Sequence, residues 1–183
     1  MNILAVYRNQ LYSIVKSNFI YKQFPNWSKE WFISLEVRPL GTVYGKEASI
    51  FHLGQDGLDG VNDRVPAVYF HPGTTKLHFV YGAGIQYDVP ANNRLPVGEW
   101  TLIQVSQIRL SNNLYKCKLQ VGVDANKKPI EIYSTTNVTP VVYGNMNFYI
   151  GDAFKSPAYA NYRDVEIFTF QEGWTIVQKF QEF

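Results

Sequence analysis

The sequence predicts an all-β fold, an antiparallel β-sandwich of the jelly-roll kind, and three observations carry that reading. Apolar and polar residues alternate with a period of two in many short segments. Aromatics make up 16% of the 183 residues while charged residues reach only 17%, below the roughly 25% common in soluble domains. Clusters of Gly, Pro, Asn and Asp break the chain at short intervals, as turns between strands require. Aromatic and β-branched side chains suit a pleated, half-buried surface, and no stretch shows a sustained helical period.

The clearest alternation sets Trp31, Ile33, Leu35 and Val37 against Ser34, Glu36 and Arg38, the pattern of a strand with one buried face. After Trp100, the residues Thr101, Ile103 and Val105 oppose Leu102, Gln104 and Ser106. Tyr115, Cys117, Leu119 and Val121 oppose Lys116, Lys118 and Gln120, and Ile130 and Ile132 flank Glu131. Met146, Phe148 and Ile150 alternate with Asn147 and Tyr149. Two runs, 65–70 and 77–81, are apolar on both sides, as strands packed on both faces would be. The expected core is Trp31, Ile33, Leu35, Val37, Trp100, Ile103, Val105, Leu119, Val121, Phe148 and Ile150, with Cys117 buried among them. No linker, low-complexity tract or fixed-period repeat divides the chain, so residues 1–183 read as a single domain.

A formal net charge of +2 with scattered Lys and Arg gives no basic stripe for nucleic acid, and no apolar run of about 18 residues suggests membrane insertion. One cysteine rules out an intrachain disulfide. The N-terminus has neither a basic flank nor a signal-length apolar core. Two glycosylation sequons, Asn26-Trp27-Ser28 and Asn137-Val138-Thr139, fit a secreted or cell-surface protein. The three histidines, His52, His71 and His78, have no zinc-type spacing and read as structural. No serine–histidine–aspartate arrangement, phosphate loop or dinucleotide fingerprint is present. Asp164 and Glu166 are the nearest thing to a carboxylate pair, expected on a solvent-facing side of the last strand.

The order of these segments resembles the laminin G-like jelly rolls of the concanavalin A-like lectin/glucanase superfamily. The landmarks are W-F-I-S-L-E-V-R-P at 31–39, I-F-H-L-G at 50–54, a loop over 55–64, the strand pair 65–70 and 76–81, and Gly98, Trp100 and Val105. Further on come the turn region 121–128, F-Y-I-G-D at 148–152 and the closing segment 163–168. The likeness spans about residues 25–170. It lacks the usual turn glycine after Asp124, where Ala125 and Asn126 stand, and the cysteine pairs of many secreted relatives. Hydrolases of this superfamily use carboxylates at E-x-D-x-x-E spacing, which this chain does not contain, so no enzyme activity is expected.

The loop 54–63 gathers acidic oxygens and glycines, the donors that Ca²⁺ collects at a flexible turn, although such residues also make turns unaided. The resemblance implies a calcium position at Asp63 and Asn145, with Asp56 or Asp59 as further ligands. Aromatic and polar residues in or near expected loops, Tyr44, Asp152, Phe154, Tyr159, Asn161 and Tyr162, are the candidate ligand-binding set, because sugar rings stack on aromatics while amides and carboxylates bind hydroxyls. The expected function is noncatalytic recognition of a glycan or another extracellular ligand through rim loops, assisted by calcium. The alternative is an adhesion or structural module pairing with a protein partner through a sheet edge or face, and a glycan-cleaving enzyme with dispersed residues is a third reading.

Overall fold

The computed structural model describes residues 5–7, 11–13, 20–55, 65–82, 85–89, 91–122, 128–137, 139–151 and 155–170. Period-two alternation becomes fourteen strands within these segments: β1 (Ala5–Tyr7), β2 (Tyr12–Ser13), β3 (Ile20–Trp27), β4 (Glu30–Pro39), β5 (Ala48–Gln55), β6 (Ala67–Phe70), β7 (Leu77–Gly82), β8 (Ile85–Asp88), β9 (Thr101–Ser111), β10 (Leu114–Gly122), β11 (Ile130–Asn137), β12 (Tyr143–Ile150), β13 (Ser156–Pro157) and β14 (Ala160–Phe170). They form two sheets. The first runs β1-β14-β4-β9-β10-β11, with β2 also on β14; the second runs β3-β12-β5-β6-β7-β8, with β13 on β5. Every pairing is antiparallel except the short β13–β5 contact. Among the described residues no helix is long and apolar enough to cross a membrane.

The sheets bury their facing rows against each other. Trp31, Ile33, Leu35, Val37, Ile103, Val105, Cys117 and Leu119 from the first meet Ile50, Leu53, Val68, Phe70, Phe79, Phe148 and Ile150 from the second. Each fully buried aliphatic or aromatic side chain of this kind contributes about 1.5–3 kcal/mol. Strands β6 and β7 are covered on both faces, as their two-sided apolar runs predict: Ala67, Tyr69 and Val80 form a second cluster away from the main core.

Several expectations change. Trp100 is not a core residue. Its ring lies 4.2 Å from the Arg163 guanidinium and 5.2 Å from that of Arg38, a cation–π arrangement, and it is half-buried. Val121, near the end of β10, is only partly buried. Ser34 and Glu36, expected to face solvent, are buried, and Glu36 is ion-paired with Arg163. Strand β3 went unread because Pro25 interrupts it; β3 is a sheet edge, where a missing N–H costs no ladder bond.

Asp164 and Glu166 do not share one regular strand face. The register of β14 against β4 shifts between Arg163 and Glu166, and Asp164 sits at φ 51°. This is a bulge in which two residues oppose one. It lets Tyr162 and Val165, three apart, both point into the core.

Candidate functional site

One end of the second sheet collects ionisable side chains from β7 and β8 and from residues flanking β5, β6 and β13. The hairpin register places Tyr69 opposite His78 and His78 opposite Asp88. The pairing continues past β6 through a bond from the His71 N–H to the Lys76 carbonyl, 3.0 Å. With a two-residue period, His71 therefore shares a face with Tyr69 and stands diagonally beside His78. The two imidazoles stack with centroids 5.4 Å apart and planes inclined 17°. Glu47, one residue before β5, completes the row beside β6, since Ala48 pairs with Phe70.

The contacts are specific. His78 Nδ1 lies 2.6 Å from Glu47 Oε1, and His71 Nε2 lies 2.8 Å from Asp88 Oδ1. Lys155 forms an ion pair with the other Glu47 oxygen and stands 4.2 Å over the Tyr69 ring. The His78 hydrogen bond, followed by the bond and charge of Lys155, holds the Glu47 carboxyl down at about 2 against burial, which acts in the opposite direction. A carboxylate only accepts, so His78 donates from Nδ1, and Nε2 is its remaining nitrogen.

Two exposed tyrosines stand on the same rim. Tyr44, in the β4–β5 connection, is 81% exposed, and Tyr159, just before β14, is 45% exposed. Each ring is seated on a glycine. Tyr44 Cδ1 lies 3.1 Å from where a β-carbon on Gly73 would sit, and Tyr159 Cδ1 lies 3.1 Å from the same point on Gly41. Gly73, at φ 65°, also needs the left-handed conformation open to glycine. Backbone bonds tie the loops together: Leu40 N–H to the Tyr159 carbonyl at 2.9 Å, Gly73 N–H to Val43 at 2.7 Å, and Gly98 N–H to Pro39 at 2.7 Å.

Of the residues expected to touch ligand, Tyr44 and Tyr159 thus share one rim. Asn161 and Tyr162 do not belong to a loop: both are in β14, 7% and 0% exposed, and the bulge turns Tyr162 into the core, where burial raises its hydroxyl pKa. They are removed from the ligand-binding set. Asp152 and Phe154 lie outside the described residues, as do Asp56, Asp59 and Asp63 of the expected calcium loop. Asn145 stands at the opposite end of the second sheet, where β5 finishes at Gln55 beside Met146. It is exposed at φ 52° and lines a cleft of about 380 Å³ with Gln23, Phe24, Pro25, Met146 and Asn147. Two of the three histidines, read as structural from their spacing, come together with a carboxylate: His71, His78 and Asp88 present ligand atoms within 4.8 Å of one another. That grouping was hidden because it depends on pairing across two turns.

No protein-family model and no curated protein sequence matches the chain. Solved structures do. A SAP-like pentraxin from Limulus polyphemus aligns over 88% of this chain and 76% of its own at 11% identity, TM-score 0.56. A Trypanosoma rangeli sialidase aligns over 78% of this chain at 12% identity, TM-score 0.52, and this chain spans 21% of the sialidase. Domain 4 of an extracellular arabinanase from Geobacillus stearothermophilus, solved in complex with arabinotriose, aligns over 80% of this chain and 65% of its own at 20% identity, TM-score 0.50. The fold is therefore the concanavalin A-like jelly roll that the order of the sequence landmarks indicated, and none of these matches singles out its laminin G-like kind.

Proposed function

We propose that this chain is a noncatalytic recognition domain, secreted or at a cell surface, that binds a glycan on the rim carrying Tyr44 and Tyr159. The observation that carries the reading is the pair of exposed rings held against Gly73 and Gly41. A ring braced from behind by a glycine backbone offers its other face with little conformational freedom left to lose, which favours binding. Asp88 and Lys155, paired with His71 and Glu47 at the same end of the second sheet, are the charged groups that hydroxyls or acidic substituents of a ligand could meet there. The likeness to an arabinanase domain solved in complex with arabinotriose supports the ligand class through fold alone.

The noncatalytic part of the reading rests on the sequence, which has no carboxylates at the E-x-D-x-x-E spacing that hydrolases of this fold use. The test is a glycan array with the protein and with Tyr44→Ala and Tyr159→Ala, alongside a reducing-end assay on the glycans that bind. Losing one stacked ring should weaken binding about tenfold, or ~1.4 kcal/mol. Unchanged binding in both variants, or turnover of a bound glycan, refutes the reading.

A second reading, protein recognition by strand addition, rests on β11. It is an edge of the first sheet with Ile130 exposed at its start.

A further inference from the structure

We propose that His71, His78 and Asp88 form a binding site for one divalent transition-metal ion, with zinc as its reference ion and Glu47 as the residue that positions His78. This goes beyond the glycan reading and does not depend on it.

The first argument is the donor set. Two imidazole nitrogens and one carboxylate oxygen, all within 4.8 Å, are the ligands that zinc and its neighbours take in three-ligand sites that keep a further position for water. Calcium, which gathers six to eight oxygens, is poorly served here. Zinc bonds of about 2.0–2.2 Å require the donors to draw in around the ion. Asp88 and His71, exposed and half-buried at the rim, are free to make that adjustment, while His78 is fixed in the sheet.

The second argument is the orientation of His78. A metal-binding histidine commonly donates its other ring N–H to a carboxylate, which fixes the tautomer and raises the basicity of the coordinating nitrogen. His78 does this through Nδ1 to Glu47 at 2.6 Å, and Lys155 in turn holds Glu47. The relay His78–Glu47–Lys155 therefore leaves Nε2 of His78 as the donor available to an ion.

The third argument is His71. Its Nε2 is shielded from solvent and makes no aligned hydrogen bond, although an Asp88 oxygen lies 2.8 Å away. A nitrogen and an oxygen this close without a well-directed bond can be bridged by a cation that both coordinate. The alternative, two separate histidine–carboxylate pairs, explains the His78 contact but leaves the His71 nitrogen poorly satisfied.

The experiment is titration of metal-stripped protein with Zn²⁺ by calorimetry, with Co²⁺ absorption as a second readout of the coordination shell. One equivalent of Zn²⁺ should bind, and Co²⁺ should give the intense visible bands of a four- or five-coordinate site containing nitrogen. His71→Gln and Asp88→Asn, both at the rim, should abolish the one-to-one binding while leaving the thermal unfolding of the metal-free protein cooperative. Glu47→Gln should keep the stoichiometry but weaken affinity about 10- to 100-fold. Millimolar Ca²⁺ should not displace the ion. Failure of Zn²⁺ to bind, or binding unaffected by His71→Gln and Asp88→Asn, overturns the site. Because no glycan is present, neither result bears on whether Tyr44 and Tyr159 bind sugar.

Discussion

Replacing Glu47 by Gln removes a carboxylate whose ionised form the fold stabilises. Its pKa is about 2 instead of 4.5, and at about 1.36 kcal/mol per pH unit that gap is worth ~3 kcal/mol at most. The side chain is 24% exposed, so water screens part of the interaction, and the expected contribution is about 1–2 kcal/mol. The folded-state value is the lower one. The contribution is therefore complete above pH 4.5 and is lost as pH falls toward 2. For a domain of this size, about 1 kcal/mol moves the melting temperature by ~2–4 °C, so Glu47→Gln should melt roughly 2–8 °C below the parent at pH 7. By pH 3 the difference should shrink by about half or more, because below about 4.5 the unfolded chain takes up the proton that the folded carboxyl still excludes. Paired melts of parent and variant at pH 7, 5, 4 and 3, followed by circular dichroism, measure this, and taking the difference cancels the other carboxylates. A gap that stays constant across that range, or is absent at pH 7, would show that His78 and Lys155 do not stabilise the ionised Glu47.

Two further outcomes follow from the core. Cys117 is fully buried and burial pushes its thiol up to about 12, so a thiol reagent at pH 8 should label it only as fast as the protein unfolds; rapid native labelling would contradict the register of β10. Tyr162 is also fully buried, and its hydroxyl has no hydrogen-bond partner among the described residues; Tyr162→Phe should stabilise by about 1 kcal/mol in urea unfolding, and destabilisation by a similar amount would refute the reasoning.

The strands were legible where one face alone is apolar. Trp31, Ile33, Leu35 and Val37 announce β4, and Tyr115, Cys117 and Leu119 announce β10, because a pleated strand returns a side chain to the same face at every second residue and a helix does not. Strand β3 was illegible since Pro25 suits only an edge, and edge status is a property of the assembled sheet. Trp100 was misplaced because a large aromatic suits a core and a cation–π stack equally well. Asn161 and Tyr162 look like loop residues beside Tyr159; the bulge at Asp164 that sets their direction leaves no mark on composition.

The candidate site was half legible. Tyr44 stood out as an aromatic in or near an expected loop. His71 and His78 did not, since a spacing of seven means nothing until the intervening residues, Pro72 to Leu77, are known to reverse the chain. The Pro72-Gly73 pair is that signal. Reading 65–70 and 77–81 as one hairpin in register would have put both imidazoles on one face, though Glu47 and Asp88, supplied by the neighbouring strands, would still have required the order of the sheet.

The Glu36–Arg163 ion pair joins residues 127 positions apart, and β4 has β9 and β14 as its two partners. During synthesis at about 5–20 residues per second, β4 waits roughly 6–25 s after leaving the ribosome before the strand bearing Arg163 has been made. Strand β3 likewise waits for β12. The early product is thus a chain in which β3 lacks its partner and β4 lacks one of its two neighbours, while β5, β6 and β7 can already pair with one another. The hairpin that bears His71 and His78 can form well before the first sheet is complete, and a nascent chain halted before β14 would leave one hydrogen-bonding edge of β4 open to chaperones and to other copies of itself.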